Sequence, residues 1–291
     1  MLLFVLFWTS LASCYSIRVD DPVKLPFPSW LHDFTGLNQW PGLDPPYIPL
    51  DFIDFSKVPN VSRHSQSQCE IVRKECSFDC FHCVTPDEVY TCRQLTQTFD
   101  DGPTIHTKAL IKHLKRPATF FTLGLNIIKY PEIYRKAVAK GHIMGSHTWS
   151  HKYLPSLTNE EIVAQLEWSI WAMNATSNHL PKWFRPPYGG LDNRVRAIIR
   201  QFGMQSVLWD FDTFDWKLLL DNNTRETHEQ QIYRDLTQYK IDKANTGIIL
   251  EHDHSAKTVA VAIKIDQEIL NHSQMTVPQC AKGVDYIRTF S

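Results

Sequence analysis

From residue 94 onward, short runs rich in β-branched and aromatic residues alternate with segments that carry apolar residues at helical spacing. This alternation predicts βα units and a parallel sheet, because parallel strands need a long crossover connection that is usually a helix. The first predicted strand ends at the stretch Thr98-Phe99-Asp100-Asp101-Gly102-Pro103, and later strands are predicted at 118–123, 142–146, 183–185, 206–210 and 247–250. Helices are predicted at 107–114, 130–140, 158–174, 194–202, 229–239 and 259–270.

Local signals support two of these helices. Gly141 follows the second helix as a left-handed cap, and Thr158 with Glu161 forms a capping box at the start of the third. About six or seven βα units are enough for a closed or partly closed barrel. An open doubly wound sheet is the alternative, but the glycine-rich phosphate loop typical of that fold does not follow the first strand.

The chain before this region divides into two parts. Residues 1–16 are an apolar run followed by small residues, which predicts a secretory signal peptide; a buried N-terminal strand is the alternative. Residues 17–93 are rich in proline and aromatics with little periodicity, which predicts an extended arm laid over the domain of residues 94–291. No later stretch is long and apolar enough to predict a transmembrane helix.

The cysteines and the charge favour a secreted protein without a nucleic-acid partner. After Cys14, near the predicted cleavage site, six cysteines remain: Cys69, Cys76, Cys80, Cys83, Cys92 and Cys280. In an oxidising compartment they predict disulfides that pin the arm, and a zinc knuckle at 76–83 is the alternative. Possible N-glycosylation sites start at Asn60, Asn174, Asn222 and Asn271. The net charge of −1 gives no field that would attract nucleic acid or an anionic membrane.

Polar residues collect where the predicted strands end. Because the carboxyl ends of parallel strands open on one face of a barrel, the following residues are expected to share a site. They are Asp100 and Asp101, His147 and His151, Arg185 and Tyr188, Asp215 and Trp216, and Glu251, His252 and His254.

One metal ion is predicted within this set. His147 and His151 have i, i+4 spacing, so one helical turn would direct both imidazoles at a single ion. Asp101 would add a carboxylate and leave one position open. Two nitrogens and one oxygen favour Zn²⁺, with Co²⁺ or another first-row ion as the alternative.

Metal-assisted hydrolysis also needs a base and an acid. Asp100 can be the base, and Arg185 can pair with it and keep it ionised. His252 can be the acid, with Asp215 orienting it and keeping it protonated. His254 is a rival acid that the spacing alone does not exclude.

Five motifs at these strand ends resemble, in order and spacing, those of the polysaccharide deacetylases, carbohydrate esterase family 4. They are TFDDGP at 98–103, SHTWSH at 146–151, RPPYG at 185–189, DTFDW at 212–216 and LEHD at 250–253. The resemblance covers residues 94–270 and implies a distorted (β/α) barrel. It implies Asp100 as base, Asp101, His147 and His151 as metal ligands, and Arg185 as partner of the base.

The same resemblance implies further roles. Tyr188 would supply a backbone N–H to the oxyanion, and Asp215 would hold His252 as the acid in preference to its rival. Trp216 and Leu250 would line the acetyl pocket.

Stretches outside the motifs, at 37–54, 160–176 and 192–203, resemble the budding-yeast chitin deacetylases of the ascospore wall. Glu251 departs from the family, which more often has an apolar residue there. The resemblance implies a secreted enzyme that removes acetyl groups from chitin, giving chitosan and acetate, in the cell wall and in particular the spore wall. The alternatives are an O-acetyl esterase acting on another wall polysaccharide such as xylan, and a non-catalytic protein that binds a wall polymer.

Overall fold

Seven parallel strands form one sheet in the computed structural model of the protein, which describes residues 21–219 and 225–290. The nine strands of the described residues are β1 Thr96–Asp100, β2 Thr119–Thr122, β3 Ile143–Ser146, β4 His179–Pro181, β5 Trp183–Phe184, β6 Gln205–Ser206, β7 Phe211–Asp212, β8 Ile248–His252 and β9 Tyr286–Thr289. All but β4 and β9 belong to this sheet. The order in the sheet is β6-β5-β3-β2-β1-β8-β7, and β4 pairs with β9 in a separate antiparallel ladder. The predicted parallel sheet is confirmed, whereas the β4–β9 ladder was not predicted.

The sheet curls into a half-barrel, and the link between β6 and β7 requires this curvature. The two strands lie at opposite edges of the sheet although only residues 207–210 separate them. Seven flat strands about 4.8 Å apart would put the edges roughly 29 Å from each other. The chain from Ser206 to Phe211 spans at most about 18 Å, so the edges must approach each other. The strand predicted at 206–210 is wrong beyond Ser206, where β6 ends. Residues 207–210 instead connect the two edges of the sheet.

Ten α-helices are present in the described residues. They are α1 Ser29–Thr35, α2 Phe78–Phe81, α3 Thr107–His113, α4 Gly124–Lys129, α5 Pro131–Ala139, α6 Asn159–Ser177, α7 Asn193–Gln201, α8 Arg225–Asp242, α9 Ala256–Lys264 and α10 Val277–Ala281. Of these, α5, α6, α7 and α9 pack against strands of the sheet. The predicted capping box is confirmed: the Glu161 N–H donates to Thr158 Oγ1 at 3.2 Å and the Thr158 N–H donates to Glu161 Oε2 at 2.7 Å. Within the described chain, every helix is too short or too polar to cross a membrane.

The arm, described from residue 21, contributes to the main hydrophobic core. Trp40 is buried and stacks on Trp149, with ring centroids 6.1 Å apart, and its edge contacts Trp168. The indole N–H groups of these three residues donate to backbone carbonyls of the arm, at Leu25, Gly42 and Pro46. The predicted signal peptide at 1–16 and the sequon at Asn222 lie outside the described residues.

Disulfides fix the end of the arm. The cysteines of the described chain pair as Cys69–Cys80, Cys76–Cys83 and Cys92–Cys280. The first two close loops within the arm, and the third joins the arm to α10. The zinc-knuckle alternative at 76–83 is therefore wrong, because its sulfurs are already in disulfides.

Glu167, in the middle of α6, is a carboxyl group buried where the arm crosses this helix. Its Oε1 accepts a hydrogen bond from the Ile48 N–H at 2.9 Å, while Oε2 has no hydrogen-bond partner among the described residues. Burial raises the pKa of Glu167 to about 8, and the hydrogen bond from Ile48 opposes the shift. The carboxyl group is therefore protonated in the folded protein at neutral pH but ionised in the unfolded chain.

Glu167→Gln is expected to raise the melting temperature at about pH 9 and to change it little at about pH 5. Between the unfolded and folded pKa values of this raised group, the folded state binds more protons, so wild-type stability falls as pH rises. Glutamine keeps the acceptor for Ile48 but never ionises. Thermal unfolding should show a difference on the order of 2 kcal/mol at the higher pH, roughly 4 °C or more. Equal shifts at both pH values would contradict this assignment.

Candidate active site

The two aspartates at the end of β1 face one site because the backbone turns between them. Asp100 is the last residue of β1, and Asp101 has a left-handed backbone with φ of 78°. Both side chains are buried. A Cβ at Gly102 would lie 2.4 Å from Asp253 Oδ2, so the turn packs against this carboxylate only with glycine in place. The chain therefore turns where the Gly-Pro step predicts.

His147 and His151 follow β3 in a loop, so the predicted helical turn is wrong. Thr148 and His151 have left-handed backbones, with φ of 73° and 61°, which an α-helix does not contain. The loop still brings the two imidazole rings together, with centroids 4.9 Å apart. The two rings therefore meet as predicted, but the loop conformation brings them together instead of a helical turn.

Asp101, His147 and His151 form a group that could hold a metal ion. Asp101 Oδ1 lies 3.5 Å from His147 Nε2 and 3.3 Å from His151 Nε2, and it is buried without a hydrogen-bond partner. Ligand atoms of one tetrahedral Zn²⁺ lie about 3.4 Å apart, so these separations fit. His147 Nδ1 donates to the Arg185 carbonyl oxygen at 2.8 Å, because that oxygen can only accept. Nε2 of His147 therefore presents its lone pair to the site.

The protonation states of these residues also suit a cation. Burial lowers the pKa of His147 to about 3 and that of His151 below its ordinary value, so both imidazoles are neutral at neutral pH. Burial acts to raise the pKa of Asp101, but at the low pH where this group titrates the neighbouring imidazoles, His151 first, carry positive charge and hold the pKa well below its usual range. Two neutral imidazoles and one carboxylate are the forms in which these residues bind a metal.

Asp100 is held by Arg185, the residue that follows β5. Arg185 Nη1 donates to Asp100 Oδ1 at 2.8 Å and to Thr98 Oγ1 at 2.8 Å, and the guanidinium lies over the Phe121 ring at 4.2 Å. Asp100 Oδ2 lies 3.8 Å from His147 Nε2, which directs this carboxylate toward the metal-ligand group. Burial raises the pKa of Asp100 to about 6, with the Arg185 charge opposing it. A buried carboxylate with this pKa is suited to exchanging a proton near neutral pH.

His252, the last residue of β8, forms a close pair with Asp215. The Asp215 carboxylate accepts from His252 Nδ1 at 2.6 Å and from the His252 backbone N–H at 2.9 Å. Burial acts to lower the pKa of His252, but the Asp215 carboxylate outweighs it and raises this pKa to about 10. Burial instead lowers the pKa of His254 to about 4, and its Nδ1 has no hydrogen-bond partner among the described residues. His252 is therefore the protonated imidazole of the two at neutral pH.

The three residues predicted to bind substrate lie on the elements that carry this group. Tyr188 is in the turn after β5 with φ of 59°, and its ring centroid is 4.5 Å from that of His151. Trp216, half-buried, follows Asp215 directly. Leu250 is buried on β8 opposite Thr98 of β1. Because side chains two apart on a strand share a face, it points to the same side as His252.

Two residues without a role predicted from the sequence support the Asp101 turn. The Asn126 side chain donates to the Asp101 carbonyl at 2.6 Å, and Asp253 Oδ2 accepts from Thr107 Oγ1 at 2.6 Å beside the turn. Asp253 lies within the last motif, so its position gave a signal. Asn126 is a polar side chain in the fully buried helix α4, and a polar residue inside a short buried segment is the signal that could have identified it.

A family model and a solved structure show which class of protein has this fold. A family model described as polysaccharide deacetylase matches residues 88–207. The solved chitin deacetylase from Colletotrichum lindemuthianum has the same fold, with a TM-score of 0.60 and 27% identity over 68% of this chain and 92% of that chain. The half-barrel and the residues at its rim therefore define a deacetylase of the hydrolase class.

Two curated relatives then establish the family. Chitin deacetylase 2 of Saccharomyces cerevisiae is 58% identical over 92% of this chain and 84% of its own length. Chitin deacetylase 1 of the same organism is 50% identical over 99% of this chain and 96% of its own length. The chain belongs to the polysaccharide deacetylase family.

Proposed function

We propose that this protein is a chitin deacetylase, which hydrolyses the N-acetyl groups of β-1,4-linked N-acetylglucosamine polymers to give chitosan and acetate. The observation that carries the proposal is the meeting of a possible metal-ligand group, an Asp–Arg pair and an Asp–His pair at one rim of the barrel. The names of the two yeast relatives support chitin as the polymer.

Asp101, His147 and His151 would hold the metal, with Zn²⁺ favoured and Co²⁺ as the alternative. The buried Oδ1 of Asp101, which has no hydrogen-bond partner, and the lone pair that His147 Nε2 presents are the observations that support this. A divalent ion bound there supplies Lewis acidity, which makes water more acidic and a carbonyl carbon more electrophilic.

Asp100 takes the proton of the attacking water. Arg185 fixes the orientation of the carboxylate through one oxygen, so the other oxygen remains directed toward the reacting water. The Tyr188 backbone N–H donates to the oxyanion that forms when the acetamide carbon becomes tetrahedral. The left-handed backbone at Tyr188 orients this N–H, and a preorganised donor needs no rearrangement during the reaction.

His252 donates a proton to the departing amine. Asp215 accepts from Nδ1, so the Nε2–H of the imidazolium is the group left to donate. Trp216 and Leu250 would line the pocket for the acetyl methyl group, and these apolar side chains would also exclude water from the departing acetate.

Asp215→Asn is expected to lower kcat for acetate release by about a hundredfold while leaving KM and zinc content nearly unchanged. The amide removes the negative charge that keeps His252 protonated and can present its NH₂ to Nδ1, which favours the wrong tautomer. Steady-state kinetics on chitin oligomers with zinc determination checks this result. A variant with wild-type kcat would show that Asp215 does not act through His252.

The domain division and the location are proposed together. A signal peptide at 1–16 would direct secretion, the arm of residues 17–93 would brace the barrel, and residues 94–291 would form the catalytic domain. The disulfides of the described chain are consistent with an extracellular or cell-wall protein. We place it in the fungal cell wall, with the spore wall as the specific site.

One experiment separates this function from its alternatives. The zinc-supplied protein is incubated with chitin oligomers and, separately, with O-acetylated xylan oligomers, and released acetate is measured. We expect release from chitin oligomers at least about tenfold faster than from xylan, a preference of roughly 1.4 kcal/mol in transition-state stabilisation, because both yeast relatives are named for chitin. Release from xylan alone would instead identify an O-acetyl esterase, and binding without any release would identify a wall-polymer binding protein.

A further inference from the structure

A second cluster of two histidines and an aspartate lies at the end of the barrel opposite the candidate active site. It consists of His113, the last residue of α3, Asp266, in the π-helical turn Ile265–Ile269 after α9, and His272. Helices that follow parallel strands run back across the sheet, so their C-terminal ends lie beside the N-terminal ends of the strands. A nearby contact agrees with this placement, because the Met275 N–H donates to Oγ1 of Thr96, the first residue of β1.

One of the two distances from Asp266 resembles those in the first cluster. His113 Nε2 lies 3.5 Å from Asp266 Oδ2, and His272 Nδ1 lies 2.5 Å from the same oxygen. The three ligand atoms all lie within 4.8 Å of one another. The first separation fits two ligands of one tetrahedral cation, whereas the second is a hydrogen bond. A bound cation would replace the shared proton and move these two atoms apart by less than about 1 Å.

Two buried polar atoms in the cluster lack a hydrogen-bond partner among the described residues. The Asp266 side chain is 1% exposed, and its Oδ1 has no hydrogen-bond partner in the described chain. His113 Nε2 is also buried and makes no hydrogen bond with the described residues. A buried carboxylate costs free energy unless its oxygens are paired or bind a metal. A cation between Asp266 and the two imidazoles would satisfy His113 Nε2 directly and would compensate the charge of the buried carboxylate.

The backbone around the cluster is irregular in a way that directs its side chains inward. Asp266 lies in a π-helical turn, a feature that occurs often at functional sites. Asn271 and His272 have left-handed backbones with φ of 51° and 56°, and the His272 N–H donates to the Asp266 carbonyl at 2.8 Å. Two consecutive non-glycine residues in this conformation cost free energy unless the surroundings offset it. The turn thus returns the His272 ring to the Asp266 carboxylate.

We propose that His113, Asp266 and His272 bind a structural divalent cation, Zn²⁺ by its preference for two imidazoles and a carboxylate. The ion links the end of α3 to the turn after α9 at a point where both histidine side chains are partly exposed. It lies away from the catalytic rim, so its role is to stabilise the fold.

Metal content of the full-length chain tests this proposal. Zinc is measured after removal of loosely bound metal, in wild type, in His151→Gln, in the double variant His113→Gln with His272→Gln, and in all three changes together. We expect the double variant to lose about one zinc ion per chain in both backgrounds and to keep its acetate release. Added zinc should raise the melting temperature of the His151→Gln protein by at least about 3 °C and that of the triple variant by less than about 1 °C.

His32→Gln is the matched control, because His32 is an exposed helix histidine away from both clusters, and it should keep the full zinc content. If the double variant does not fold, His113→Gln alone replaces it, since this side chain lies at the surface end of α3, and the same loss is expected. Unchanged zinc content in these variants would overturn the proposal and leave a hydrogen-bonded His–Asp–His cluster. This outcome is independent of the deacetylase reaction.

Discussion

Asp100→Asn is expected to lower acetate release from chitin oligomers by about a thousandfold while zinc content and melting temperature stay close to wild type. Asparagine has nearly the same shape and its oxygen can still accept from Arg185 Nη1, so the buried guanidinium keeps its partner. The amide cannot take a proton from water, however, and the general base is lost. The measurement is steady-state acetate release with zinc determination on the same samples.

Asp212→Asn is the control for this variant. Asp212 lies at the end of β7, near the site, and accepts from the Phe214 N–H at 2.7 Å, a role that an asparagine oxygen can also fill. Acetate release by the Asp212→Asn variant should stay within a few fold of wild type. Near-normal acetate release by Asp100→Asn would mean that another group is the base.

His147→Gln is expected to lose the catalytic zinc and, with it, acetate release at micromolar zinc. Glutamine is a poor zinc ligand, and it also removes the imidazole whose Nδ1–H donates to the Arg185 carbonyl. Removing one of three protein ligands should weaken metal affinity by at least about a hundredfold. Zinc titration by calorimetry, with acetate release at each zinc concentration, measures both effects.

His142→Gln provides a matched buried histidine outside the site. His142 precedes β3, and its Nδ1 accepts from the Ala118 N–H at 3.1 Å, as a glutamine oxygen could. Burial lowers its pKa to about 4, so no charge is removed at neutral pH. This variant should keep its zinc, and equal zinc affinity in the two variants would contradict the ligand assignment of His147.

The sequence predicted the elements that carry a strong local signal. β1, α6 and β8 have clear apolar patterns, and the capping box at Thr158 locates the start of α6. The rule that parallel strands end on one face then brought the polar residues together without any knowledge of the loops. The position of the site therefore depended on topology rather than on the details of each connection.

Other features depend on tertiary contacts that a single sequence does not contain. The loop from His147 to His151 has helical spacing but left-handed residues, and it is shaped by hydrogen bonds to Ser146 and Gln165. Residues 207–210 can link the two edge strands only because the sheet curls and brings its edges together. The disulfide pairing likewise depends on which cysteines the fold brings together.

The sequence pattern did not explain why a glutamate stands at position 251, where the family more often has an apolar residue. It lies on β8 between Leu250 and His252, so its side chain points to the helix-facing side of the sheet, away from the site. Burial, with the Asp215 charge adding to it, raises the pKa of Glu251 well above its usual range. This shift favours the neutral acid, the form in which a carboxyl group best replaces a buried apolar side chain.

Acetate release from chitin oligomers, measured before chelation, after removal of the metal and after zinc is added back, tests whether Asp101, His147 and His151 form a working metal centre. The three residues meet within ligand distance in the structure, so release should fall to background on chelation and return with zinc. In Asp100→Asn, zinc should rebind without restoring release. Full activity in a protein shown to be free of metal would contradict this mechanism.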